Sequence, residues 1–119
     1  MIRALRLLPL LGFVACAHAR TAAEYSTDTG AALSQKDSDI KACYDKVLQG
    51  TPKAAGTVTV DFTVEPKSGK IIDAKLDTQS TAPAPVGQCV LDAIQTASIA
   101  PGDRNRGEAS WAWTFQPPQ

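Results

Sequence analysis

The sequence predicts a small α+β domain, ordered α-β-β-α-β, in which a three-stranded antiparallel sheet carries two helices on one face. Three observations predict it. Two segments repeat apolar residues at helical spacing, three others alternate apolar and polar residues, and each of these pieces has a single apolar side. Strands with one apolar face need a cover, and helices with one stripe each supply it. The chain has 119 residues, 44% hydrophobic, with Lys+Arg 12 and Asp+Glu 12. That length holds one domain, and the balanced charge argues against nucleic-acid binding, because no basic excess is present to neutralise phosphates.

The N-terminal residues stand apart from this pattern. Arg3 and Arg6 precede an uncharged, mostly apolar run at residues 7–17, interrupted by Pro9 and Gly12. Such a run suits the h-region of a signal peptide and is shorter than the roughly 20 residues of a spanning helix. Two cleavage sites compete. Phe13-Val14-Ala15-Cys16 resembles a bacterial lipobox, with Phe13 where Leu is usual; it makes 1–16 a lipoprotein-type signal peptide and Cys16 the lipidated residue. Ala17-His18-Ala19 is an A-x-A site that would instead release a soluble secreted chain starting at Arg20. The lipoprotein form is our expectation, with the several acyl chains that lasting attachment needs. Removing Arg3 and Arg6 leaves ten basic against twelve acidic residues, a net of −2.

Export keeps Cys43 and Cys89 in an oxidising compartment, where an even cysteine count reads as a disulfide. The two are too far apart for a C-x-x-C redox motif. Two thiols and at most one histidine make a poor metal site, so neither metal nor cofactor is expected. Residues 17–36 are small and polar apart from Tyr25 and Leu33, and read as a flexible tether without a core. The folded domain is expected over 37–117.

Its first helix carries Ile40, Cys43, Tyr44, Val47 and Leu48 on one stripe. Ser38 is the expected N-cap, Asp39 favours the positive end, and Gly50 suits the C′ position ahead of Pro52. Val58, Val60, Phe62 and Val64 then alternate with Thr57, Thr59, Asp61 and Thr63, a strand with one wet face. Pro66-Lys67-Ser68-Gly69 makes a turn, with Gly69 free to take positive φ. The returning strand, residues 71–78, is expected to point Ile72, Ala74 and Leu76 inward and Asp73, Lys75 and Asp77 outward.

Pro85 fits the first position of a second helix, whose stripe is Val86, Cys89, Val90, Ala93, Ile94 and Ala97. Pro101 and Gly102 end it, and a polar loop follows. The third strand alternates Ala109, Trp111, Trp113 and Phe115 with Ser110, Ala112 and Thr114, and Pro117 and Pro118 stop it. Both cysteines lie in helix stripes, and helices pack about 8–10 Å apart, so Cys43 and Cys89 are expected to bond. Closing that loop contributes roughly 4 kcal/mol by chain entropy.

These pieces resemble a known family. The run Gly56-Thr57-Val58-Thr59-Val60-Asp61-Phe62-Thr63-Val64, the run Gly69-Lys70-Ile71-Ile72-Asp73-Ala74-Lys75-Leu76, then Pro101-Gly102 and a closing aromatic strand resemble the TonB C-terminal-like domain. Cys43-Tyr44 and Cys89-Val90 match the AgmX/PglI-type C-terminal domain of myxobacteria. The resemblance implies a non-enzymatic envelope module that binds another protein or peptide by adding its strand beside residues 109–115. A periplasmic or outer-membrane place, with a lipid anchor, goes with it. A TonB-type membrane helix and long Pro-rich span are not read here, so energy transduction is not expected.

The same residues argue against other chemistry. His18 lies at the cleavage region, which excludes a Ser-His-acid triad in the domain. Asp73 and Asp77 stand about 13 Å apart along a strand, beyond the separation glycosidases use, and read as a solvated face. Gly102 and Gly107 are isolated and make no phosphate loop. Arg104 and Arg106 form a candidate loop for a carboxylate or phosphate, against a merely solvated pair. Trp111 and Trp113 read as core rather than recognition surface. The alternative function is a structural envelope lipoprotein contacting peptidoglycan.

Overall fold

In the computed structural model, which describes residues 21–99 and 106–118, the first alternating segment becomes β1 (Gly56–Val64), the central strand of the sheet. β2 (Ile71–Leu76) and β3 (Gly107–Phe115) flank it in the order β2-β1-β3, both antiparallel to β1. The register with β3 is unbroken from Gly56↔Phe115 to Val64↔Gly107. Val58, Val60, Phe62 and Val64 therefore share a face with Trp113, Trp111 and Ala109, and all four β1 side chains are buried.

The register with β2 shifts between Asp61 and Thr63. Asp73 takes φ 53° there, and Asp73 with Ala74 opposes the single Phe62, a β-bulge. This corrects the expected facing of β2. The extra residue reverses the alternation, so Ile71, opposite Val64, is the buried residue and Ile72, opposite Thr63, stands on the outer face. Ala74 and Leu76 keep the inward side, although Leu76 remains 38% exposed. In the turn, Glu65 N–H donates to Lys70 O at 2.8 Å and Gly69 N–H to Glu65 O at 3.0 Å. Gly69 has φ 69°, and a Cβ there would lie 2.0 Å from the Ile99 carbonyl oxygen. Glycine is required on both counts.

Two helices become α2 (Asp37–Gly50) and α3 (Ala84–Ile94) in the order expected. Their ends differ in detail. α2 starts after Lys36, with no side-chain cap from Ser38, and Gly50 is its last residue, with Thr51 at the C-cap. Pro85 is the second residue of α3. Val86, Cys89, Val90 and Ile94 are all buried, and Cys43 and Cys89 are joined with Cα atoms 5.6 Å apart. Tyr44 meets Phe115 with ring centroids 4.9 Å apart, and its hydroxyl donates to the Ala54 carbonyl. After α3, Ile71 N–H donates to Ala97 O and Ile99 N–H to Gly69 O, so residues 97–99 border part of the outer edge of β2.

The expected tether is corrected. A further helix, α1 (Ala22–Ser34), lies within residues 17–36. Thr21 Oγ1 accepts from Glu24 N–H at 3.2 Å and Thr21 N–H donates back to the Glu24 carboxylate at 3.4 Å, a capping box. Tyr25, Thr29 and Leu33 recur at i, i+4 and i+8; Leu33 and Thr29 are 1% exposed, and Tyr25 packs on the core. The composition resembled a linker because so few large residues are needed to seat the helix. α1 arrives at Lys36 already helical, with Lys36 N–H bonded to Leu33 O and Ile40 N–H to Lys36 O, so Ser38 has no helix start to cap. Among the described residues the sheet thus has three helices on one face, where two were expected.

Candidate protein-binding edge

Backbone direction along β1 decides which groups of β3 are free. Thr59 O accepts from Asp77 N–H at 2.8 Å and Thr57 O from Thr81 N–H at 2.8 Å. Thr57 and Thr59 N–H donate to Thr81 Oγ1 and Ser80 Oγ, each at 2.9 Å. These residues therefore turn their polar groups toward the β2 side. By alternation Val58, Val60 and Phe62 turn theirs toward β3, where they face Trp113, Trp111 and Ala109. The N–H and C=O groups of Glu108, Ser110, Ala112 and Thr114 consequently point to the outer edge. Among the described residues no strand lies there.

A groove of about 450 Å³ runs beside the C-terminal half of this edge. Trp113 and Phe115 line it from β3, and Ile40, Tyr44 and Leu48 from α2. Asp37, Lys41 and Asp45 also line it, and Lys41 Nζ pairs with Asp45 Oδ2 at 3.0 Å. The N-terminal half of β3 is covered on the helix side by α1. There a Cβ on Gly107 would meet the Tyr25 ring, and one on Gly30 would lie 3.3 Å from the Trp111 ring. Trp111 and Trp113 are half-buried against the core. Trp113 is in addition a groove wall, a role its core-like spacing does not reveal.

The opposite face of the sheet is largely polar, and among the described residues no helix covers it. A shallow depression of about 520 Å³ there is lined by Asp61, Thr63, Asp73, Lys75, Glu108 and Ser110. Ser110 Oγ donates to Asp61, and this bond, followed by a carboxyl contact with Asp77 and the charge of Lys75, holds the Asp61 carboxyl below its usual 3.8. Arg106 reaches Asp73 Oδ2 at 3.5 Å with both side chains largely exposed. One half of the expected loop pair is thus engaged in the bulge of β2. Arg104, Cys16, His18 and the Pro101-Gly102 pair lie outside the described residues. No cluster that could hold a metal ion occurs among the described residues, and no described helix is long and apolar enough to cross a membrane.

The structure brings together the seven residues of the expected edge, Ala109 to Phe115, and sorts them. Ser110, Ala112 and Thr114 present the edge, while Ala109, Trp111, Trp113 and Phe115 tie the strand to β1. The α2 wall was missed by the sequence reading. Its signal was the spacing of Asp37, Lys41 and Asp45, one face of a helix beside the apolar stripe.

Among solved structures, the NMR solution structure of the Helicobacter pylori TonB C-terminal domain matches with a TM-score of 0.61 and 20% sequence identity. The match covers 83% of this chain and 86% of that one. The fold is TonB C-terminal-like. No protein-family model and no curated protein matches the chain. The third strand lies beside the first.

Proposed function

We propose that this protein is a non-enzymatic cell-envelope module that binds another protein by adding one of its strands to β3. The observation that carries the reading is the open edge itself. β3 is nine residues long, its alternate backbone groups face no other strand among the described residues, and an apolar groove accompanies it. Unpaired edge groups supply affinity to an incoming strand, and the groove takes its alternate side chains. β2 is shorter, and residues 97–99 border part of it. The AgmX/PglI-type likeness, carried by Cys43-Tyr44 and Cys89-Val90, supports a place in the periplasm or at the outer membrane. Lipidation at Cys16 provides the anchor.

The experiment is a pull-down from detergent-solubilised envelope with three baits. Ala112→Pro and Thr114→Pro each remove an outward N–H and are expected to lose the partner while keeping the melting temperature. Trp111→Pro removes a donor to β1 and is expected to unfold the domain. Retention of every partner by a stable Ala112→Pro bait would exclude the edge. Co-sedimentation with purified sacculi, unaffected by these prolines, would favour the peptidoglycan-binding lipoprotein instead.

A further inference from the structure

This inference rests on the strand-addition reading and concerns the chemistry of the added strand. Two acidic side chains accompany the open edge. Asp37 lines the groove that Trp113, Thr114 and Phe115 also line, and Glu108 is the second residue of β3. Glu108 and Thr114 are six residues apart, about 20 Å of strand. Both acids are exposed, and neither forms an ion pair among the described residues. The remaining charges of the groove, Lys41 and Asp45, neutralise each other. The N-terminus of α2 carries about half a positive charge, and Lys36 adds one, but Asp37 and Asp39 in the first turn outweigh them. Near Glu108 on the outer face, the charges of Asp61 and Lys75 offset each other and Arg106 pairs with Asp73, which leaves Glu108 as the unpaired charge there among the described residues. The apolar wall of the groove is Trp113, Tyr44, Ile40 and Leu48.

We propose that the partner segment is an extended peptide with apolar residues at alternate positions in its middle and Lys or Arg at both ends. Successive side chains of an added strand point to opposite faces, so the apolar set enters the groove and excludes water. A basic residue at one end meets Asp37, and one at the other end meets Glu108. Acidic ends are repelled at both places, which gives the edge a preference among strands that could all satisfy its backbone.

The test uses the full exported chain and synthetic peptides with an alternating Val-Thr centre, flanked at both ends by Lys, Gln or Glu. Binding is read from tryptophan fluorescence, because Trp113 lines the groove. The Lys-flanked peptide is expected to bind roughly two- to fivefold more tightly per acidic end than the Gln-flanked one, and the Glu-flanked peptide more weakly still. Added salt compresses the series. Asp37→Asn and Glu108→Gln each remove part of the preference, with no more loss of melting temperature than removing one first-turn acid of α2 brings. Ala112→Pro abolishes binding of all three peptides. Equal binding of the three, or a preference for Glu, overturns the charge inference and leaves strand addition standing. Binding of none, or binding that survives Ala112→Pro, overturns both.

Discussion

Gly30 of α1 lies so close to the indole of Trp111 on β3 that a Cβ at position 30 would stand 3.3 Å from the ring. Glycine within a helix costs about 0.5–1 kcal/mol relative to alanine, and here it is what lets a helix lie against a tryptophan. The contact closes one half of the helix-side face of β3 and leaves the groove as the other half. Gly30→Leu is expected to force α1 away from the strand and destabilise the domain by about 1–3 kcal/mol. In a Trp113→Phe background, Trp111 becomes the sole tryptophan of the two in the chain. Its emission should then shift to the red on Gly30→Leu, and an unchanged spectrum with unchanged stability would show that α1 does not pack there.

Leu33 separates a helix from a tether by measurement. The side chain is 1% exposed in the core. Leu33→Ala should cost about 2–5 kcal/mol in chemical denaturation. A flexible linker at this position predicts no change in the denaturation midpoint.

Cys43–Cys89 ties α2 to α3 on the covered face of the sheet. Replacing both by serine is expected to cost about 2–5 kcal/mol. Tryptic peptides of the protein should run as a linked pair until reduced. Free thiols at both positions in protein kept under oxidising conditions would remove the bond from the account.

On the outer face, Asp61 is the carboxyl expected to respond to acid. The Ser110 hydroxyl holds its carboxyl below the usual 3.8, so the folded state prefers the ionised form. The stabilisation is present above the ordinary carboxylate value and is lost as pH falls through the range below it. Ser110→Ala should move the Asp61 titration upward in an NMR carboxyl titration and reduce the loss of stability on acidification. An unmoved titration would mean that the hydroxyl does not set the carboxyl's proton affinity.

Much of this architecture was written locally. β1 and β3 alternate strictly because each has one wet and one covered face, and the stripes of α2 and α3 recur at helical spacing because each meets the sheet once. The paired cysteines follow from stripes that face each other. The inward residue of β2 was not legible, since the bulge at Asp73 depends on the register with Asp61 and Thr63 and leaves no mark in the alternation of β2 itself. α1 was not legible either. Tyr25, Thr29 and Leu33 are too few to announce a helix, and their burial depends on a surface supplied by β3 from the far end of the chain.

The sequence by itself determined the covered face, the element order from α2 onward and the likeness to the TonB C-terminal fold, because periodicity and turn chemistry act over neighbouring residues. Only the tertiary structure decided which backbone groups of β3 point outward, since that direction is inherited from the hydrogen bonds of Thr57 and Thr59 across the sheet. It also decided that α2 walls one half of the helix-side face of β3 while α1 closes the other. A groove of this kind joins residues far apart along the chain, and no local pattern encodes a contact between segments that meet only after folding.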